Sequence, residues 1–99
     1  MSDDFFASLP PFNAEDGLER LRRGLRDLRV FNERGASRFD WKGKPAIEAA
    51  VDGKVIRVRF AKRPAHAPEW ELQTLKDSAD VRRWLDDLKK RVARWSEEP

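Results

Sequence analysis

Leu18, Leu21, Leu25 and Leu28 recur every three or four residues, the spacing that gathers side chains on one face of an α-helix. The helix is expected to start after Asn13, a good N-cap, with Glu15 and Asp16 in a first turn where the helix dipole favours negative charge. It is expected to end between Val30 and Asn32, ahead of Gly35. Gly17 and Gly24 each weaken it by up to ~1 kcal/mol relative to alanine, so it depends on packing. From Ser37 the period changes to two. The segment RFDWKG predicts a strand with Phe39 and Trp41 on one face, and PAIEAAV a second with Ile47, Ala49 and Val51 inward. KVIRVRFA predicts a third, with Ile56, Val58 and Phe60 inward, and EWELQTL a fourth, with Trp70 and Leu72 on the core side. Asp52-Gly53, between two alternating runs, is the signature of a type I′ hairpin turn.

The last element has the longest apolar stripe. Val81, Trp84, Leu85, Leu88, Val92 and Trp95 fall on one helical face. Asp77 or Ser78 caps its start, and Lys89, Lys90, Arg91 and Arg94 crowd its C-terminal half, where the dipole favours cations. The predicted fold class is α+β: a helix, a four-stranded antiparallel meander and a helix, with both helices packed on one face of the sheet. Residues 13–99 are expected to form a single domain, preceded by a partly flexible tail over 1–12.

Charge enters mainly through its placement. The chain carries 21 basic and 18 acidic residues among 99, for a net charge of +3. Such an excess gives a weak overall field despite an isoelectric point near 9.6. Arg57 and Arg59 alternate along the third strand and point to its outer side. An Asp52-Gly53 turn would set Val51 opposite Lys54, Ala49 opposite Ile56 and Glu48 opposite Arg57, with Glu69, Glu71 and Gln73 outward on the fourth strand. These arginines are then flanked by carboxylates on both sides, each opposite-charge pair worth ~0.2–1 kcal/mol. The sheet exterior is thus expected to be solvated and neutralised, unlike a phosphate-binding surface, which leaves cations unopposed and adds exposed aromatics.

Two basic segments remain. The eight-residue loop AKRPAHAP holds Lys62, Arg63 and His66 between strands, longer than a hairpin connection needs. On the last helix, Asp86 and Asp87 are spaced to pair with Lys90 and Arg91, leaving Lys89 and Arg94 freer. Lys62, Arg63, His66, Lys89, Lys90 and Arg94 are the candidate patch for an acidic partner or nucleic acid. Arg22, Arg26 and Arg29 flank the leucine stripe, partly neutralised by Glu19 and Asp27, and their stems can pack along it. In the tail, Phe5, Phe6, Leu9 and Phe12 are large apolar residues beside acidic ones, suited to covering an exposed edge of the domain or to docking on a protein.

Several chemistries lack their residues. There is no cysteine and only one histidine, so a thiolate metal site and a disulfide framework are excluded. No phosphate-cradling glycine loop, nucleophile elbow or paired helical histidines occur. No enzyme activity, cofactor or metal is expected. The acidic, proline-broken N-terminal stretch is unlike a secretory signal, and no run reaches the ~20 apolar residues of a membrane span. Cytoplasmic localisation and no membrane contact are expected.

The ordered elements resemble the helix–three strands–helix layout of double-stranded-RNA-binding domains, with one strand more. In that family the start of the last helix is basic and approaches phosphates, whereas Asp77 and Asp80 stand at that position here. The run from SRFDWKG through VDGKVIRVRF to VRRWLDDLKKRVARW also resembles a family of small, uncharacterised beta-proteobacterial proteins. That resemblance implies a compact α+β fold and carries no activity, ligand or site residue. Two apolar helical stripes, an aromatic tail and four tryptophans point to a protein-binding or self-associating module, aromatics being enriched at interface cores. The alternative is weak electrostatic nucleic-acid binding through the basic patch.

Overall fold

A computed structural model of the chain describes residues 12–35 and 37–97. Helix α1 spans Ala14–Leu28. Asn13 caps it as expected, its side-chain oxygen accepting from the N–H groups of Glu15 and Asp16 at 3.0 and 3.1 Å. The helix stops earlier than the sequence pattern suggests. Arg29 takes a left-handed conformation (φ 57) and donates its N–H to the Arg26 carbonyl at 3.0 Å, which closes the last turn.

The sheet has five antiparallel strands rather than four, in the order β1-β2-β3-β4-β5. They are β1 (Phe31–Arg34), β2 (Arg38–Trp41), β3 (Lys44–Asp52), β4 (Val55–Ala61) and β5 (Trp70–Leu75). The added strand, β1, has one apolar residue among Phe31, Asn32, Glu33 and Arg34, so no alternation marks it. It forms because the left-handed exit from α1 lays the chain along β2, pairing Phe31 with Trp41 and Glu33 with Phe39. Arg26 of α1 fastens this edge through two hydrogen bonds to Glu33, at 3.0 and 3.1 Å.

The hairpin turns also differ from expectation. Asp52 pairs with Val55, so the β3–β4 turn is made by Gly53 and Lys54. Gly53 is left-handed (φ 63) and Lys54 is not, the pattern of a type II′ turn, which needs glycine only at its first central position. Both central residues are left-handed instead in the β2–β3 turn, at Lys42 (φ 51) and Gly43 (φ 80). The β3–β4 register therefore sets Ala49 opposite Val58, Ala50 opposite Arg57 and Glu48 opposite Arg59. A two-residue slip keeps each residue on its expected face and changes its partner.

Helix α2 spans Ser78–Glu97. Asp77 caps it, accepting from the Asp80 N–H at 2.8 Å, while the Asp80 carboxylate reaches back to the Lys76 N–H at 2.9 Å. One core cluster joins Leu21 and Leu25 of α1, Phe39, Trp41, Ile47, Ile56, Val58 and Leu75 of the sheet, and Val81, Trp84, Leu88, Val92 and Trp95 of α2. Trp95 meets Trp41 edge-on at 5.5 Å between ring centroids, and Trp84 meets Phe60 at 5.7 Å. The helices approach closely at Gly24, where an added Cβ would lie 2.8 Å from a Leu85 methyl carbon. Phe12, assigned to the tail by its sequence position, packs partly buried against this core.

Candidate functional site

Strand β5 carries the principal departure from the sequence pattern. Trp70 and Leu72 were expected on the core side, with Glu71 and Gln73 outward. The β4–β5 register sets Arg59 opposite Leu72, Arg57 opposite Thr74 and Ala61 opposite Trp70, while Phe60 faces Glu71 and Ile56 faces Leu75. Opposite residues share a face. Trp70, Leu72 and Thr74 thus lie on the outer side with the arginines, and Leu75 supplies the core contact. Leu72 is 81% exposed and Leu75 0%.

The arginines are neutralised with a change of partners: Glu48, expected opposite Arg57, stands opposite Arg59. Arg59 pairs with Glu48 and Arg57 with Asp52. Glu71 leaves that face altogether and binds Arg91 of α2 at 3.1 Å. Further along the outer face, Asp40 is 2% exposed, accepts a hydrogen bond from Arg38 Nε at 2.9 Å and forms an ion pair with Arg34 at 3.2 Å. Arg59 also stacks over the Trp70 ring at 4.5 Å. A groove of about 350 Å³ runs over this surface, lined by Glu48, Ala50, Arg57, Arg59, Leu72 and Thr74 among others. Its charge is balanced and its most exposed apolar group is Leu72.

Strand β5 is an edge of the sheet, with no strand paired to its outer side among the described residues. Lys62 donates its N–H to the Glu69 carbonyl at 2.9 Å, so these two form a hydrogen-bonded pair. Hydrogen-bonded and non-bonded pairs alternate along an antiparallel ladder. Glu71, Gln73 and Leu75 therefore bond to β4, and Trp70, Leu72 and Thr74 direct their backbone N–H and C=O groups away from it. The two sheet edges are unlike. β1 is four residues long, with Glu33 and Arg34 on it, whereas β5 has six residues, no proline and no basic side chain.

The basic candidates divide. Lys62, Arg63 and Arg94 come together with Arg91, Glu71 and Trp95 around a concavity of about 250 Å³. Arg91 is held there by Glu71, by the Ala61 carbonyl at 3.3 Å and by the Phe60 ring at 4.4 Å. It was expected to pair with Asp87, but Glu71 meets it instead. Lys62 approaches Glu69 at 3.7 Å, and Arg63 and Arg94 form no ion pair among the described residues. Lys89 lines a separate groove between the helices with Gly24, Asp27, Leu28 and Leu85. Lys90 and His66 are exposed and line neither cavity. Phe5, Phe6 and Leu9 lie outside the described residues. No group of three or more histidine, aspartate or glutamate side chains able to hold a metal occurs among the described residues, and no helix there is long and apolar enough to cross a membrane.

The perturbed ionisations lie away from both cavities. The Arg26 hydrogen bond holds the Glu33 carboxyl below the usual range, and the bond to Asp40 raises Arg38. The Lys76 N–H, followed by Arg83, lowers Asp80. These groups fasten an edge, a sheet face and a helix start. Asp77 and Asp80, occupied in capping α2, keep that helix start acidic, as the sequence indicates.

Residues missed by the sequence pattern are Leu72 and Trp70 as surface groups and Arg91 as a wall of the basic concavity. Three of the four tryptophans, Trp41, Trp84 and Trp95, are buried in the core, so Trp70 alone has a ring available to a partner. No protein-family model, no curated protein and no solved structure matches the chain.

Proposed function

We propose that the protein is a self-associating module without catalytic activity, which pairs the free edge of β5 with the same edge of a second copy. The observation that carries this is the coincidence of outward backbone groups and outward side chains at Trp70, Leu72 and Thr74. Both helices are taken to cover the inner face of the sheet, leaving the outer face open for a continuous surface across the two copies. An exposed strand edge is a ready template for another chain unless it is shortened, charged or covered. β1 has the first two protections, whereas β5 is longer and its single charge, Glu71, is turned to Arg91.

The strand is complementary to itself. A two-fold axis at Leu72 sets Leu72 beside its symmetry mate, Trp70 beside Thr74, and Glu71 beside Gln73. No like charges meet, because Glu71 is the only charged residue on β5. Closed two-fold assembly is the commonest arrangement of homo-oligomers. Sedimentation equilibrium tests the proposal: the full chain should fit a monomer–dimer equilibrium, and Leu72→Lys should shift it toward monomer. A chain that stays monomeric up to ~1 mM, the weak end of specific association, would contradict it.

A further inference from the structure

We propose that the concavity formed by Lys62, Arg63, Arg91 and Arg94 binds the phosphate group of a small phosphorylated ligand. Its four cations come from separate parts of the chain: Lys62 and Arg63 just after β4, Arg91 and Arg94 from α2. Against them stand Glu71 on the wall and Glu69 beside Lys62. Counting both carboxylates, the described residues of the site keep an excess of two positive charges. A phosphate monoester carries about −1.5 to −2 near neutral pH and presents three acceptor oxygens, which matches that excess.

The guanidinium groups differ in role. Arg91 is fixed by Glu71, the Ala61 carbonyl and the Phe60 ring, and so forms a rigid floor. Arg63 and Arg94 have no ionic partner among the described residues and retain their donors for an incoming anion. Arginine presents paired N–H groups in a planar fork that fits phosphate oxygens bidentately.

Size and surroundings favour a small ligand over a polymer. At about 250 Å³ the cavity lies below the ~300–1,000 Å³ of sites that enclose drug-sized molecules, so it fits a phosphate with a short attached group. Trp95 is only 4% exposed, which leaves no aromatic platform among the described lining residues on which a base could stack. The neighbouring sheet exterior is neutralised by Glu48, Asp52 and Asp40, so no basic track continues from the cavity across that face among the described residues.

Titration of the full chain with inorganic phosphate, followed by the arginine side-chain N–H signals in NMR, tests the site. Saturable shifts of Arg63, Arg91 and Arg94 are expected, with a dissociation constant on the order of 1 mM or tighter. Glycerol phosphate should act at the same signals. The double variant Arg63→Ala/Arg94→Ala should bind at least about tenfold more weakly with its tryptophan-ring contacts intact, as two charge-assisted contacts are lost. Lys90→Ala, on the same helix but off the cavity, should bind as the parent does. Linear shifts reproduced by sodium chloride at equal ionic strength would overturn the proposal. So would unchanged binding by the double variant, or binding of a mixed oligonucleotide in the absence of any response to phosphate. These residues are separate from Leu72, Trp70 and Thr74, so either site can fail without the other.

Discussion

Replacing Leu72 by alanine removes a side chain that is 81% exposed, whereas replacing Leu75, three residues along the same strand, removes one that is fully enclosed. Burying a leucine completely is worth ~1.5–3 kcal/mol. Roughly a fifth of the Leu72 surface is shielded, so its truncation should cost about 0.5 kcal/mol or less in the monomer. Leu75 lies against Ile56 inside the core cluster, where Leu→Ala replacement also leaves a cavity and costs ~2–5 kcal/mol. Urea unfolding of both variants at dilute concentration, where association does not contribute, separates the two. Unchanged m-values would show that the midpoints report stability. Had the alternation of Trp70 and Leu72 governed the strand, the costs would be reversed. A loss above ~1.5 kcal/mol for Leu72→Ala, or equal losses for the two variants, would refute the assigned faces of β5.

Other perturbations test separate parts of the structure. The folded carboxyls of Glu33 and Asp80 titrate below their unfolded values, so their contribution is fully present above ~4.3 and is lost as pH falls through the folded values. Acid unfolding followed by circular dichroism should therefore show a shallower stability loss below pH ~4 in a Glu33→Gln/Asp80→Asn variant than in the parent. At Gly17, an added Cβ would lie 2.6 Å from Phe12 Cζ and 3.1 Å from Ile56 Cδ1. Gly17→Ala should lose stability despite gaining up to ~1 kcal/mol of helix propensity, and most of that loss should vanish in a Phe12→Ala background. Equal costs in both backgrounds would remove Phe12 from the helix seam. Thr74→Pro deletes an N–H directed away from β4 and should leave the fold intact, while Gln73→Pro deletes one that bonds to β4 and should unfold the strand; thermal melts distinguish them.

Much of this architecture is written in local pattern. The leucine stripe of α1, its Asn13 cap, the inward residues of β2, β3 and β4, and the long stripe of α2 each follow from spacing over a few residues. What failed depends on longer-range geometry. Strand β1 exists because Arg29 turns left-handed and because Arg26 reaches Glu33, neither of which leaves an apolar alternation in the sequence. Strand β5 contains two out-of-phase signals, Trp70 with Leu72 against Leu75, and its pairing register with β4 decides between them. The preference becomes intelligible once Arg59 is seen stacked on Trp70, and Arg91 reaching from α2 to Glu71. The candidate patch was legible residue by residue but not as a shape. Lys62, Arg63 and Arg94 converge, while Lys89 and Lys90, their neighbours in composition, point elsewhere on the helix surface.

Hydrogen exchange of individual backbone amides tests the proposed edge pairing most directly. In the two-fold arrangement, the Trp70, Leu72 and Thr74 amides gain hydrogen-bond partners only when two copies meet, whereas those of Glu71, Gln73 and Leu75 are bonded within one chain. The first set should exchange slowly at high protein concentration and rapidly on dilution, with the second set slow throughout. Exchange of Trp70, Leu72 and Thr74 that is fast at every concentration would contradict the account.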